Sequence, residues 1–145
     1  MQRITKRGAQ PTSCLRAIRG AVQVVADTPE LIAKGTVEMV SQIIASNGLH
    51  HTDLISIFFT ITPDLTSELP PLAVQEAGWT QIPMLCAAEL HSQVMIPRVI
   101  RMLAHVHWTK QNSEPCNIYL PGTTPVRPVQ DCLTTYPNTP DSASS

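Results

Sequence analysis

DTPELIAKGTVEMVSQIIASNG, residues 27–48, followed across a short connection by LISIFFTIT, residues 54–62, decides the fold class. In the first stretch Asp27 and Thr28 precede Pro29 and Glu30, which reads as a helix N-cap, a proline at the first helical position and an acid suited to the helix dipole. Ile32, Thr36, Val40, Ile43, Ile44 and Asn47 recur at helical spacing and make one largely apolar face, and Asn47-Gly48 is a left-handed stop. The second stretch is a continuous β-branched and apolar run of strand length, closed by the Pro63-Asp64 turn signal. It is expected to be a buried central strand.

Working outward, CLRAIRGAVQVV (14–25) has strand composition, and its alternation puts Arg19 on the face of Ala17 and Ala21, where small side chains leave room for a guanidinium. Pro70 and Pro71 open a short helix through LAVQEA that Gly78 ends, after which IPMLCAAEL (82–90) resumes as strand. Cys86 and Glu89 lie three apart in it, so both reach one face only if the strand carries an irregularity. VIRMLAHVHW (99–108) alternates, with Ile100, Met102, Ala104 and Val106 on one side and Arg101, Leu103, His105 and His107 on the other. CNIYL (116–120) is a last short strand. The expected fold is α+β, one long helix on a mixed sheet of four or five strands. Residues 14–128 are expected to form the domain, 1–13 a frayed N-terminal extension and 129–145 a Pro/Ser/Thr-rich tail.

Of the 145 residues, 43% are hydrophobic and only 14% charged, so much of the folded surface must be uncharged, as suits a subunit packed on copies of itself. A formal net charge of −1 supplies no field for a polyphosphate, and nucleic acid is not an expected partner. Arg3, Lys6, Arg7, Arg16 and Arg19 precede the first acid, Asp27, but without the helical amphipathicity of a transit peptide. No apolar run has the length of a membrane span, and no stretch reads as a signal peptide, so neither is expected. Cys14, Cys86, Cys116 and Cys132 include no CxxC pair, so neither a zinc cage nor a redox dithiol is written here, and a reducing, cytoplasmic compartment is expected.

The chain has no G-x-S-x-G elbow, Gly-rich phosphate loop or HExxH. His105 and His107 lack a nearby acid or cysteine to complete a metal set, so packing is their expected role and no metal is expected. The arginines say more. Arg19 and Arg101 sit inside strand-like apolar runs, where a guanidinium needs a carboxylate or several acceptors, and Glu89 is the one acid in the neighbouring strands. Two readings stand: an internal Arg–Glu bridge, or a pocket with surplus positive charge for a small carboxylate-bearing anion, with Tyr119 as a neutral donor.

RAIRGAVQV, TITPDL, GWTQIP with LCAAEL, VIRML, IYL and PVRP, in this order and spacing, together resemble the small trimeric chorismate mutases, from about Leu15 to Pro128. The resemblance implies a homotrimer built as a pseudo α/β barrel, with active sites between subunits and no cofactor. It further implies that Arg19 binds substrate, that Glu89 meets the substrate hydroxyl with Cys86 just before it, and that Arg101 faces the breaking ether bond. Tyr119 helps to hold a carboxylate, and Arg127 belongs to a mobile C-terminal segment that closes over the site. PVRP also has the PxxP form of a module ligand.

A Claisen rearrangement needs no nucleophile, general acid or metal, which accounts for the missing motifs. Leu72 and Gln75 depart from the family, which often has a basic residue on the short helix, and Leu85 stands where threonine is common. These departures predict a raised KM more than a lowered kcat. Two other classes share the expected subunit shape: a trimeric imine hydrolase of the RidA-like kind, and a trimer that binds a small anion without turning it over.

Overall fold

The computed structural model describes residues 14–123; the N-terminal extension, Arg127 and the C-terminal tail lie outside the described residues. Five strands and two α-helices follow in the order β1 (Cys14–Gln23), α1 (Pro29–Ser46), β2 (Leu54–Ile61), α2 (Pro70–Glu76), β3 (Met84–Ala88), β4 (Val99–Trp108) and β5 (Ile118–Tyr119), with a 3-10 turn at His51–Asp53 before β2. The strands form one mixed sheet in the order β3-β2-β4-β1-β5. β4 runs antiparallel to both neighbours, while β3 and β5 join parallel at the two edges.

The long helix forms where its caps predict. The Thr28 side chain accepts from the Leu31 N–H at 3.2 Å, Pro29 opens the first turn and Asn47 ends the last, and Gly48 takes φ +58°. Asp27, grouped with Thr28 in the cap, does something else. Its carboxylate accepts from the N–H and the hydroxyl of both Thr66 and Ser67, at 2.7–3.1 Å, which ties the loop after β2 to the root of α1. The Ser67 hydroxyl leads the bonds that lower its pKa to about 2. Thr36 is tolerated inside the apolar face because its hydroxyl donates to the Ile32 carbonyl at 2.7 Å.

α1 lies across one face of the sheet. Ile32, Met39, Val40 and Ile43 are fully buried there against Ile18, Phe59 and Ile100. The approach is close at Gly20, where an added Cβ would stand 2.9 Å from Ile43 Cδ1 and 3.0 Å from Met102 Cγ. The alternation of β4 holds throughout: Ile100, Met102, Ala104 and Val106 are buried, while Arg101, Leu103, His105 and His107 occupy the other face.

LISIFFTIT departs from expectation. β2 is second in the sheet rather than central, and it is not buried on both faces. Ile57 and Phe59 point under the helix at 1% and 0% exposure, whereas Phe58 on the opposite face is 40% exposed. A register shift between Leu54 and Ser56 adds one residue to the run, so its apolar continuity includes Ile55, which is also exposed. Among the described cysteines, Cys14 and Cys86 are free thiols. No described helix is long and apolar enough to cross a membrane.

Candidate active site

Among the described residues no element covers the sheet face opposite α1, and the chemistry-bearing side chains gather on it. Strand register lines up one row across all five strands. Tyr119 on β5 pairs with Ala21 on β1, Ala21 with Arg101 on β4, Arg101 with Thr60 on β2, and Thr60 with Ala87 on β3. Cross-strand partners point to the same side, so Tyr119, Arg101 and Thr60 rise from one level, with the small Ala21 between the first two. Arg19 stands two residues back along β1 on the same face. These groups line a cavity of about 420 Å³, walled further by Phe58 and by Val94, Met95 and Ile96 of the β3–β4 loop.

Glu89 follows β3 directly. Its backbone N–H donates to the Ile61 carbonyl at 2.8 Å, which carries the parallel pairing past Ala88 and keeps its side chain on the face of Ala87. Both carboxylate oxygens accept from a single nitrogen, Arg101 Nη1, each at 2.8 Å, and Oε1 also accepts from the Thr60 hydroxyl at 3.1 Å. The ion pair is neither sealed nor fully exposed, with 41% of the Arg101 side chain and 22% of the Glu89 side chain accessible. Arg19 forms no ion pair among the described residues, so the cavity lined by Arg19 and Arg101, with Glu89 bonded to Arg101 from outside its lining, has one surplus positive charge beside it. The internal bridge is present, and it leaves Arg19 outside it.

β2 and β3 pair without a register shift, so the irregularity that would bring Cys86 beside Glu89 is absent. Cys86 sits beside Phe59 and packs on the core under the helix; burial pushes its thiol pKa above the ordinary value, leaving a neutral thiol at physiological pH. Leu85, beside Phe58, lies on the uncovered face and is 70% exposed. Leu72 and Gln75 are exposed on α2. None of these four lines the cavity of its own subunit. The structure thus unites Arg19, Arg101, Tyr119 and Glu89 and leaves Leu72, Gln75, Leu85 and Cys86 apart. His105 meets Ser56 Oγ at 3.2 Å, and no cluster of metal-ligating side chains forms among the described residues.

The loop that walls the cavity is clasped at its root. Arg98 holds φ +53°, a left-handed conformation uncommon for a residue with a side chain. Its N–H donates to Asp64 at 2.9 Å, its Nε to the Val24 carbonyl at 2.9 Å, and its carbonyl accepts from the Val24 N–H at 2.9 Å. Thr62 completes the clasp by donating to Asp64 and accepting from the Val99 N–H at 3.0 Å. TITPDL thereby fixes where β4 begins, and so the phase in which Arg101 faces the cavity. Thr60, Phe58 and the loop residues Val94–Ile96 were absent from the sequence-derived site. Thr60 was legible as one of two polar residues, with Ser56, in an apolar strand, but its partner across the sheet was not.

Comparison with known proteins identifies the family of the chain. The family model described as chorismate mutase type I matches residues 15–130. Chorismate mutase AroH of Thermus thermophilus is 36% identical over 115 residues, covering 79% of this chain and 94% of that protein. Chorismate mutase AroH of Bacillus subtilis (strain 168) is 30% identical, covering 79% and 91%. A solved chorismate mutase from Clostridium thermocellum superposes with a TM-score of 0.71 at 33% identity, covering 74% of this chain and 96% of that one.

Proposed function

The chain belongs to the type I chorismate mutase family and catalyses the isomerisation of chorismate to prephenate, and on that premise we propose how its residues divide the work. The observation that carries the assignment is the placing of Arg19, Arg101 and Tyr119 around one cavity with Glu89 bonded to Arg101. Chorismate is a flexible dianion. Arg19 and Tyr119 hold its carboxylates and select the folded conformer in which the reacting carbons meet, which is catalysis by orientation.

In the transition state the C–O bond breaks ahead of C–C formation and negative charge grows on the ether oxygen. Arg101 meets that charge. A fixed cation that binds the transition state better than the ground state lowers the barrier, and loss of such a donor typically costs about 3–4 kcal/mol. Glu89 accepts from the ring hydroxyl and lies near the electron-poor ring. Arg127, beyond the described residues, takes the remaining carboxylate role that its family position implies, and truncation after Leu120 is expected to raise KM.

The enzyme works as a homotrimer in this reading. Support comes from the uncovered sheet face, where Leu15, Phe58 and Leu85 are exposed at 62%, 40% and 70%, a surface that favours burial against another subunit. Leu72, Gln75 and Leu85, which stay away from their own subunit's cavity, then complete the cavity of a neighbour, while Cys86 backs β3 from the core side. With Leu72 and Gln75 uncharged, the carboxylate they approach is held less firmly and KM is raised. The same reading places the enzyme in aromatic amino acid biosynthesis and in the cytoplasm. The direct test follows loss of chorismate absorbance with prephenate formation; binding of chorismate without turnover would overturn the proposed roles.

A further inference from the structure

Thr60 has no role in the division of work above, yet its hydroxyl is the one group other than Arg101 that holds the Glu89 carboxylate among the described residues. β2 and β4 place Thr60 directly opposite Arg101, so one side chain stands beside both members of the ion pair. The geometry of that pair is unusual for arginine and carboxylate, whose preferred contact is a fork with two nitrogens facing two oxygens. Here Nη1 alone serves both oxygens at 2.8 Å, and Nε and Nη2 make no hydrogen bond among the described residues.

We propose that Thr60 is a positioning residue: by donating to Glu89 Oε1 it turns the carboxylate onto Arg101 Nη1 alone and so keeps the Nε–Nη2 edge of Arg101 turned to substrate. The inference rests on the roles proposed for Arg101 and Glu89. Without the hydroxyl, Glu89 is free to rotate into the fork contact, which engages a second guanidinium nitrogen and withdraws it from the developing charge on the ether oxygen. The hydroxyl also divides the two carboxylate oxygens. Oε1 accepts from both Thr60 and Arg101, while Oε2 accepts from Arg101 only, leaving Oε2 the better acceptor for the ring hydroxyl of substrate. A group acting on the alignment of Arg101 affects the transition state more than the bound ground state, so its removal falls on kcat.

The test compares Thr60→Val, which keeps the shape and removes the donor, with Thr60→Ser, which keeps the donor, in the full chain. Steady-state kcat and KM for chorismate are measured beside Glu89→Ala and the Thr60→Val/Glu89→Ala double variant. Thr60→Val should lower kcat by about tenfold with KM changed less than about threefold, and Thr60→Ser should recover kcat to within about twofold of the parent. In the absence of Glu89 the valine should cost nothing further, because the residue acts through that carboxylate. Parental kcat in Thr60→Val while Glu89→Ala is impaired overturns the positioning role alone. So does a Thr60→Ser enzyme as slow as Thr60→Val, or a full additional loss in the double variant. Parental kcat in Glu89→Ala overturns the site reading and takes the positioning role with it.

Discussion

The two faces of the sheet differ in what one chain completes. Under α1 every large side chain finds its partners inside the subunit, as Ile18, Phe59, Ile100 and Ile43 show by their zero exposure. On the opposite face the same strands present Phe58, Leu85 and Leu15 to solvent, and Arg19, Arg101, Thr60 and Tyr119 to a cavity. Phe58 and Phe59 are neighbours in sequence and a face apart in space, and they separate the tasks. One face holds the core of the subunit, while the other, among the described residues, carries the cavity and the exposed apolar side chains.

The sharpest way to break the comparison is to exchange its two phenylalanines. Phe59→Ala should cost about 3–5 kcal/mol of folding stability, read from denaturant unfolding, because a fully buried ring leaves a cavity. Phe58→Ser should leave the far-ultraviolet circular dichroism intact and weaken subunit assembly in sedimentation velocity, by about 1.5–3 kcal/mol of lost apolar burial per subunit. Unfolding by both variants alike would abolish the division between the faces. Arg101→Lys, on the uncovered face, falls between them in size. An ammonium lacks the planar fork, and kcat should drop about 100- to 1,000-fold with unchanged thermal stability; near-parental turnover would remove Arg101 from the transition state.

Smaller effects refine the picture. Gln75→Arg restores a basic group on α2 and should lower KM several-fold, on the order of 1 kcal/mol of added binding, with kcat little changed. An unchanged KM would detach α2 from the substrate carboxylate. The smallest effect belongs to the helix side, at the junction made by Asp27. Its pKa is about 2 in the folded chain against 3.8 ordinarily, so its stabilising contribution is present in full above about pH 4 and lost as pH falls through about 2. The gap in melting temperature between the parent and Asp27→Asn should therefore be open at about pH 6 and close by about pH 2. A gap that persists in acid would mean that the hydrogen bonds, not the charge, hold the junction.

Much of the helix-side half was legible. Caps, proline placement and periods of 3.6 and 2 are local signals, and they marked α1, α2 and the alternation of β4 to within a few residues of their ends. β2 was misplaced toward the centre because an apolar run suggests burial without saying on which faces, and Phe58 is 40% exposed among the described residues. Among the site residues, Arg19 and Arg101 were conspicuous as charges in apolar strands. Their assembly with Tyr119 and Glu89 required pairings between residues up to about a hundred positions apart, such as Gly20 with Ile118, and no local pattern encodes these. Thr60 was hidden for the same reason, since a threonine in a strand is ordinary until the arginine opposite it is known.

By itself the sequence determined the elements, the inward-facing residues and, through its six spaced segments, the family and the reaction. Only the tertiary structure decided that β4 lies at the centre, that Cys86 and Glu89 face opposite ways, and that Arg101 lends a single nitrogen to Glu89. The physical reason is the range of the forces involved. Capping and periodic burial act within a few residues of the chain, whereas strand order, register and the orientation of a guanidinium are set by hydrogen bonds between segments that meet only when the whole sheet has formed.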